Sequence, residues 1–551
     1  MRIFSPPESK ASFAKVIRLA EEPRFIAIEH VKFAWLVVLC FALGLATARG
    51  QLTVADVQQV IAQAASRAQS IDPASVIAVT DREGYVLGVW SMNGSTNFTP
   101  ALTDLVANAI ARAGTAAFLS SDQHAFTTRT AGFIVQQNFP PGVRNRGPGP
   151  LVGVNFSNLP FSDVNRLKDP AGYNPSLTNG TNGGPVPTPI TGGLTGVPGG
   201  VPLYKAGKLV GGVGAAGDGH SATDINPEIV AASDVDEAVA LAGQIGFTPA
   251  DSITGSHVTI DGIRLPYIAS PIQPGPAAPF GSIGANIPSF PIRNGPPAVY
   301  PALLLGGANG ELRIPIAADP SASPLPDGVP RLTASEVTNI ISAAANRARS
   351  TRAGIRLPRG QMAQVFITVV NNPNVAGSPP LILGSFCTSS DATRFSWDVS
   401  AQKARTALFF STTNRAYSAR TVGFLAQSMY PPGIEGTNPG LFFGLQERFS
   451  IITPTPQMVT NPVNGAVFTT STNVNPNLPN GITIFPGGFP LYRNGVLIGA
   501  IGVSGDGVEQ DDIISAMGSS LFPSAESIRA DRTQYRGARL PYAKFPRNPA
   551  L

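Results

Sequence analysis

The chain of 551 residues is long enough for two to four domains, and its 43% hydrophobic and 13% charged content is typical of globular rather than disordered proteins. The formal net charge of +5 falls to +2 when residues 1–50 are set aside, because that segment contains seven Lys/Arg and four Asp/Glu. No polybasic stripe remains, which argues against a nucleic-acid-binding protein.

Residues 31–50 predict the destination of the protein. An apolar run from Phe33 to about Ala46 follows one lysine, and small residues follow at Ala48 and Gly50. This pattern is typical of a secretory signal peptide and is short for a membrane span. We therefore expect an exported protein, periplasmic or extracellular, with no stable membrane span after signal removal; an uncleaved anchor is the alternative. The thirty preceding residues are unusual for a signal peptide, and a later start of translation would omit them.

Cysteine usage excludes a disulfide-based scaffold. Cys40 lies within the apolar part of the signal, so the mature chain contains Cys387 alone. A single thiol forms neither an intrachain disulfide nor a cysteine metal cluster, and we expect packing to stabilise the fold.

The mature sequence begins with a helix pattern that returns later in the chain. LTVADVQQVIAQAASRAQS starts at Leu52 and LTASEVTNIISAAANRARS starts at Leu332. In the second copy Thr333 and Glu336 form a capping-box pattern, followed by apolar residues at helical spacing. Each copy is therefore predicted to begin with a capped amphipathic helix, and the chain is predicted to be a tandem repeat.

A hairpin and two further helices are predicted in both repeats. Residues 82–84 separate two β-rich runs in the first repeat, and QVFITVVNNPNVAGSPPLILGSF predicts a looser hairpin in the second. The second helix is expected at about 102–119 and 397–410, where small residues allow close packing on a sheet. The third helix is expected at about 227–242 and 510–521.

A glycine-rich hairpin is the clearest repeated feature. FPGGFPLYRNGVLIGAIGVSGDG, at 485–507, contains an Asn-Gly pair typical of a two-residue hairpin turn, and GGVPLYKAGKLVGGVGAAGDG matches it at 199–219. Its second strand ends just before a helix pattern, where N–H groups and the positive end of the helix dipole suit a carboxylate or phosphate. The alternative is a tight strand-to-helix turn with Asp506 or Asp511 as the cap.

These patterns divide the mature chain into two domains. We predict equivalent domains over 51–267 and 331–545, each with a long Gly-, Pro- and Asn-rich insert before its glycine-rich hairpin. Residues 268–330 have the composition of a proline-rich linker, with a possible hairpin turn at Asn309-Gly310. Location of the two glycine-rich hairpins in one shared sheet would contradict this division.

The order of these elements resembles the GlcG/HbpS-like family, which also occurs as the C-terminal domain of PduO proteins. The second repeat matches through KARTA at 403–407, the two glycines at 487–488, and the segment 499–505. The first repeat departs from the pattern, since Arg112 replaces the lysine and Gly114 replaces the arginine of KARTA.

The resemblance implies an α+β fold of two repeated domains, each an antiparallel sheet flanked by helices, here with long Pro/Gly-rich inserts. It also implies haem as the best-known ligand, because family members are described as haem-binding or haem-degrading. A small carboxylated ligand is a second implication, since members also occur beside glycolate and diol metabolism. Assembly into a homo-oligomer is a further expectation.

Cations near the glycine-rich junction predict a site for an anionic ligand. Lys403 and Arg405 lie on the second helix and Arg420 follows it; arginine can bind a carboxylate with two hydrogen bonds. The alternative is that these cations form surface salt bridges of small effect. We predict that the second repeat holds the ligand and that the first is mainly structural. The predicted cofactor-binding residues are Lys403, Arg405, Thr406, Arg420, Gly487, Gly488, Tyr492, Gly505, Asp506, His124 and His220.

Axial ligation of haem is difficult to assign from the sequence. The three histidines of the mature chain, His124, His220 and His257, all lie in the first repeat. A lone histidine is more often a surface or hydrogen-bonded residue than an iron ligand, although imidazole suits the role. In the second repeat the candidate iron ligands are Tyr492, Tyr417 and Met429.

Other chemistry has weaker support in the sequence. Asp218, His220 and Asp224 gather near a predicted helix start and suit a divalent ion, but aspartates there also cap helices, and we predict no metal. We find no G-x-S-x-G motif, no Cys/His pair within one repeat and no carboxylate pair shared by both repeats, so a hydrolase is disfavoured.

The sequence therefore leaves three functions open. The first is an exported two-domain protein that binds haem or a related carboxylated cofactor. The second is an enzyme that degrades haem or acts as a redox catalyst on a small organic acid. The third is a structural repeat protein without a ligand.

Overall fold

The computed structural model describes residues 51–136, 138–143, 146–147, 149–152, 194–220, 231–295, 300–354, 360–450, 458–460, 467–469, 475–505 and 507–544. The predicted signal peptide lies outside these residues. Among the helices that are described, none is both long enough and apolar enough to cross a membrane. The described residues all belong to one compact unit.

The first repeat follows the predicted order of elements. The Thr53 hydroxyl accepts from the Asp56 amide and the Thr53 amide donates to the Asp56 carboxylate, so a capping box starts the first helix. The third helix begins at Val235, later than predicted, because Asp234 caps it by accepting from the Glu237 amide. Its elements are α1 (Val54–Ile71), β1 (Val76–Asp81), β2 (Val86–Ser91), α2 (Pro100–Leu119), α3 (Thr128–Ile134), β3 (Gly200–Lys205), β4 (Lys208–Ala216), α4 (Val235–Gly243), β5 (Thr259–Ile260) and β6 (Ile263–Arg264).

The second repeat contains the same series, and the described part of its insert also includes a short hairpin. Thr333 and Glu336 form the predicted capping box at its first helix. The elements from 285 onward are β7 (Ala285–Asn286), β8 (Ala302–Leu305), β9 (Ala308–Ile314), α5 (Ala334–Ala348), β10 (Phe366–Asn371), β11 (Ile382–Cys387), α6 (Phe395–Phe409), α7 (Ala419–Leu425), α8 (Leu445–Ser450), β12 (Met458–Thr460), β13 (Val467–Thr469), β14 (Gly488–Arg493), β15 (Val496–Ser504), α9 (Val508–Ser519), β16 (Gln534–Tyr535) and β17 (Ala538–Arg539).

Two antiparallel sheets form the centres of the repeats, in the orders β3-β4-β1-β2-β7 and β14-β15-β10-β11-β9-β8. The glycine-rich hairpins occupy equivalent places in these separate sheets, with Gly200 opposite Gly214 and Gly488 opposite Gly502. Among the described residues the two glycine-rich hairpins therefore do not share one sheet, which is the arrangement that would have contradicted the division into two domains. The fold is the predicted α+β class.

Helices cover both faces of each sheet. In the second repeat α6 packs on β15, β10 and β14, and the paired helices α5 and α9 pack against the sheet as well. A side chain at Gly502 would collide with the Ser400 carbonyl of α6, and one at Gly499 would collide with the Val370 carbonyl. The glycines of this strand are thus required for close backbone packing.

The proline-rich segment 268–330 extends the two sheets. Its short strand β7 pairs with β2 of the first sheet, and β9 pairs with β11 of the second. The predicted hairpin exists, but its turn is Gly306-Gly307, with φ of 54° and 75°, and not Asn309-Gly310. Gly306-Gly307 and Asn309-Gly310 can both adopt the positive φ that a hairpin turn requires, so the hydrogen-bond register of β8 and β9 determines which of them forms the turn.

A buried charge cluster joins the two repeats. Glu83, in the β1–β2 turn, accepts from Arg394 Nε at 2.6 Å and from Arg313 Nη1 and Nη2 at 3.3 and 3.2 Å. All three side chains are at most 3% exposed. Nearby, Arg82 donates to Asp391 at 2.6 Å. The contact between the repeats therefore depends on charges that have been removed from water.

Candidate functional site

Lys403 is a buried structural cation. Its Nζ donates to Asp511 Oδ2 at 2.8 Å and to the Val503 carbonyl at 2.9 Å, and the residue is 1% exposed. The first repeat reproduces this arrangement, since Arg112 pairs with Asp236 and donates to the Ala215 carbonyl. The alternative of a surface salt bridge is wrong for Lys403, because α6 packs this side chain between the sheet and α9.

Arg420 has the same kind of role beside α9. It donates through Nε to Asp512 at 2.8 Å and through Nη2 to Glu509 at 2.9 Å. Arg129 forms the matching pair with Glu237 in the first repeat, at 2.7 Å through Nε and 2.9 Å through Nη2. Both repeats therefore anchor the third helix through an arginine that follows the second helix.

The predicted glycines lie where the backbones approach closely. Gly487 has φ of 116° and donates its amide to Asp512 Oδ1 at 3.2 Å. A side chain at Gly488 would collide with the Lys403 carbonyl, and one at Gly505 with the Gln364 carbonyl. Asp506 lies outside the described residues.

Tyr492 and Thr406 fix neighbouring segments. The Tyr492 hydroxyl donates to the Thr412 carbonyl at 2.7 Å, and burial raises its pKa well above the ordinary value. Tyr204 makes the equivalent bond to the Ser121 carbonyl, at 2.6 Å. The Thr406 hydroxyl donates to the Gln402 carbonyl and accepts from the Thr483 amide. These contacts explain the repeated tyrosine as an anchor for the turn after the second helix.

The two predicted histidines lie in the first repeat and apart from each other. His124 belongs to the turn held by Tyr204, where its ring stacks on Phe126 with centroids 5.8 Å apart. His220 follows β4, and its backbone carbonyl accepts from Arg112 Nη2 at 2.8 Å. Both are half-buried.

Three first-repeat carboxylates gather around Arg112. Oxygens of Asp218, Asp234 and Asp236 lie within 4.8 Å of one another. Asp236 pairs with Arg112, and Asp234 caps α4. The predicted ligand Asp224 lies outside the described residues. The capping and pairing roles account for the described members of this group.

Stability near this group should depend on pH. Burial, and then the charge of Asp236, raise the pKa of Asp72 above its ordinary value of 3.8. Because Asp72 ionises less readily in the folded protein than in the unfolded chain, its ionisation destabilises the fold as the pH rises above 3.8. We expect Asp72→Asn to raise the melting temperature at neutral pH and the gain to vanish below pH 3.8.

Asp56, in the capping box of α1, provides the opposite case. Burial raises the pKa of Asp56, but hydrogen bonds from Lys205 and Thr53 outweigh burial and lower this pKa below its usual value. Asp56→Asn should therefore lower the melting temperature at neutral pH. Equal shifts of one sign for both variants would contradict this prediction.

Arg405 points to a different place from Lys403, as residues two apart on a helix do. Its Nη1 donates to Asn480 Oδ1 at 3.1 Å and its Nη2 to the Pro380 carbonyl at 3.0 Å. The structure therefore does not bring Lys403 and Arg405 together at the junction before α9. Arg405 instead forms part of the lining of a cavity of about 380 Å³.

This second-repeat cavity lies between the β10–β11 loop, the end of α6 and the start of β15. Apolar contacts come from Leu408, Phe409 and Leu497, and the loop contributes Asn374. Sequence reasoning missed the cavity. The available signal was the β10–β11 connection, which runs from 372 to 381 where the first repeat has only residues 82–85.

The equivalent face of the first repeat is covered by the second repeat. Phe118, which corresponds to Phe409, is fully buried in a cluster that includes Phe395 and Val399 of α6. Asp391 accepts there from the Asp122 amide at 2.8 Å. Phe409 remains 38% exposed, so the described residues leave this face open only in the second repeat.

Comparison with known proteins identifies the repeats. The sequence model of the haem degrading protein HbpS-like family matches residues 52–232 and 332–519, which together exceed half of the chain. Among solved structures, a PduOC:heme complex is 19% identical, with 36% of this chain and 98% of that chain covered and a TM-score of 0.22. The structure of Klebsiella pneumoniae protein ORFY is 16% identical, with 36% of this chain and 93% of that chain covered and a TM-score of 0.18. The structure of a double mutant of Streptomyces reticuli HbpS is 20% identical, with 37% of this chain and 90% of that chain covered and a TM-score of 0.19. No curated protein gives a significant match.

Proposed function

The chain belongs to the HbpS-like family, and from this premise we propose that it is an exported tandem-domain protein that binds haem or a related carboxylated cofactor in its second repeat. The cavity of about 380 Å³ supports this proposal, because it combines apolar walls with polar side chains such as Asn477 and Thr413. Arg405 borders this cavity but is fully buried and donates to Asn480 and the Pro380 carbonyl, so a ligand carboxylate would have to replace one of these bonds to pair with it. The covered face of the first repeat supports one such site per chain.

Export is the second part of the proposal. The apolar segment within residues 31–50 supports it, because secretory signals have this length and these flanking small residues. Expression in a bacterial host, followed by mass measurement of the protein from the periplasm, tests it. A mature chain that begins near residue 51 is the expected result, and retention of residues 31–50 on cytoplasmic protein would contradict it.

Titration of the full mature chain with haem tests ligand binding. We expect saturable binding at one site per chain, and binding weakened by about 10-fold or less in Arg405→Gln, because any bond from Arg405 to a ligand replaces one that it makes to Asn480 or Pro380. Lys208→Gln, a change on the first-repeat hairpin at an exposed lysine, serves as the control. Absence of a Soret band with haem, and of binding by small carboxylates, would count against the proposal. Conversion of haem to biliverdin-like products would favour the enzyme instead.

Phe409 provides a test with less risk to folding. The Phe409→Ala change removes apolar wall from a partly exposed side chain, and we expect roughly fivefold weaker ligand binding with little change in melting temperature. Leu441→Ala removes another exposed apolar side chain away from the cavity and should leave binding unchanged. Equal affinities for the two variants, measured by titration calorimetry, would exclude Phe409 from the site.

A further inference from the structure

We infer that the first repeat binds a divalent cation, Ca²⁺ in preference to Mg²⁺, between the carboxylates of Asp218, Asp234 and Asp236. Oxygens of these three side chains lie within 4.8 Å of one another. Calcium binds oxygens at about 2.3–2.6 Å, so two oxygens on opposite sides of one ion are about 4.6–5.2 Å apart. The three carboxylates are therefore close enough to bind one ion together. This site lies in the first repeat and does not depend on the function proposed for the second.

A buried carboxylate oxygen without a hydrogen-bond donor indicates that the group lacks a partner. Asp236 is fully buried, and its Oδ2 pairs with Arg112 and accepts from the Gly217 amide at 3.1 Å. Its Oδ1 is also buried but accepts no hydrogen bond from the described residues. An anionic oxygen removed from water is costly unless a donor, a proton or a cation compensates its charge. The pairing of Asp236 with Arg112 therefore leaves one oxygen available for a cation.

The surrounding charges are mostly negative. Asp72 is a fourth carboxylate beside this group: its Oδ2 lies against the backbone of Gly217 and accepts no hydrogen bond from the described residues. Among the described residues Arg112 is the cation that pairs with the group, and the start of α4 adds about half a positive charge. Four ionised carboxylates therefore exceed the opposing charge by about 2.5 units. A divalent ion compensates most of this excess.

The second repeat compensates its carboxylates with side chains. Arg352 takes the place of Asp72 when the two repeats are aligned from their first helices. Glu509, at the start of α9, pairs with Arg420 at 2.9 Å and with Lys544 at 2.7 Å. The excess of negative charge is thus specific to the first repeat among the described residues. We therefore expect one cation per chain.

The type of ligand atom selects the ion. Carboxylate oxygens are hard donors, which suit Ca²⁺ and Mg²⁺ better than metals that prefer sulfur or imidazole. Mg²⁺ requires near-octahedral geometry at about 2.0–2.1 Å, whereas Ca²⁺ accepts about 6–8 oxygens in a flexible shell. The side chain of Asp218 is 14% exposed, so water can complete the shell from this side. Carboxylates from two separate segments, with water beside them, match the requirements of calcium more closely.

Calorimetric titration of the full mature chain with CaCl₂, after treatment with a chelator, tests the inference. We expect one site with a Kd of about 10⁻⁴–10⁻³ M, and weaker binding of Mg²⁺. Asp218→Asn removes one ligand charge but keeps an oxygen that can accept from the His220 amide, so folding should survive. Its Ca²⁺ affinity should fall about tenfold or more. Asp251→Asn removes an exposed carboxylate of the same repeat and should leave the affinity unchanged.

Thermal unfolding at constant ionic strength provides a second readout. Ca²⁺ at about ten times its Kd should raise the melting temperature by about 2–4 °C relative to NaCl, and Asp218→Asn should lose this difference. Absence of Ca²⁺ binding, or an equal response to Ca²⁺, Mg²⁺ and NaCl, would overturn the inference and indicate that a shared proton compensates the carboxylates. Unchanged Ca²⁺ affinity in Asp218→Asn would place the ion elsewhere and would also overturn it. The ligand of the second repeat is unaffected by any of these outcomes.

Discussion

Replacement of Glu83 by alanine is expected to lower the free energy of unfolding by about 3–5 kcal/mol. The change leaves Arg394, which is 1% exposed, without its carboxylate partner in the described structure. Burial already lowers the pKa of Arg394, which shows the cost of keeping this charge away from water. Arg313 retains Glu311 at 3.5 Å, so the loss falls chiefly on Arg394.

Urea unfolding of the full mature chain measures this effect. Because Glu83 belongs to one repeat and Arg394 to the other, we also expect unfolding to separate into two transitions in the variant. Asp251→Asn is the matched control, since its carboxylate is 89% exposed and pairs with His257 at the surface, and it should shift stability by about 0.5 kcal/mol or less. A Glu83→Ala protein with wild-type stability would show that the charge cluster does not hold the repeats together.

The fold was largely predictable because its signals are local and occur twice. Capping residues such as Thr333 fix helix starts, and an Asn-Gly or similar turn fixes a hairpin, without reference to distant parts of the chain. The role of residues 268–330 was not predictable from composition. Pairing of β9 with β11 depends on an open sheet edge that only the assembled fold provides.

The candidate site was less accessible to sequence reasoning. A repeated Lys or Arg at 112 and 403 indicates a shared role, and the structure identifies that role as pairing with a carboxylate of the third helix. Arg405 lacks a counterpart at Gly114, and in the structure it is buried beside the cavity, where it donates to Asn480 and the Pro380 carbonyl. The cavity itself arises from the long β10–β11 loop and from the absence of a covering repeat among the described residues, and neither feature leaves a motif.

Lys403→Met is expected to have the second large effect on stability, and it tests whether Lys403 contributes to folding alone or also to ligand binding. The change removes the cation from Asp511, which is 3% exposed, and leaves the Val503 carbonyl without this donor. We expect a loss of about 3–5 kcal/mol in the free energy of unfolding. Ligand affinity of the protein that remains folded should be unchanged, because Lys403 does not belong to the described lining of the cavity. Chemical denaturation and calorimetric titration of the same preparation measure the two quantities.

Lys403→Arg is the control that the chain itself supplies. In the first repeat Arg112 occupies this position and reaches both the carboxylate of Asp236 and the Ala215 carbonyl, the latter at 2.7 Å. An arginine at 403 should therefore reach Asp511 and Val503 in the same way, with a loss below about 1.5 kcal/mol from local repacking. If Lys403→Arg weakens ligand binding while stability is preserved, the ammonium group itself contacts the ligand. The site would then lie at the junction before α9, and the cavity beside Arg405 would lose its assignment.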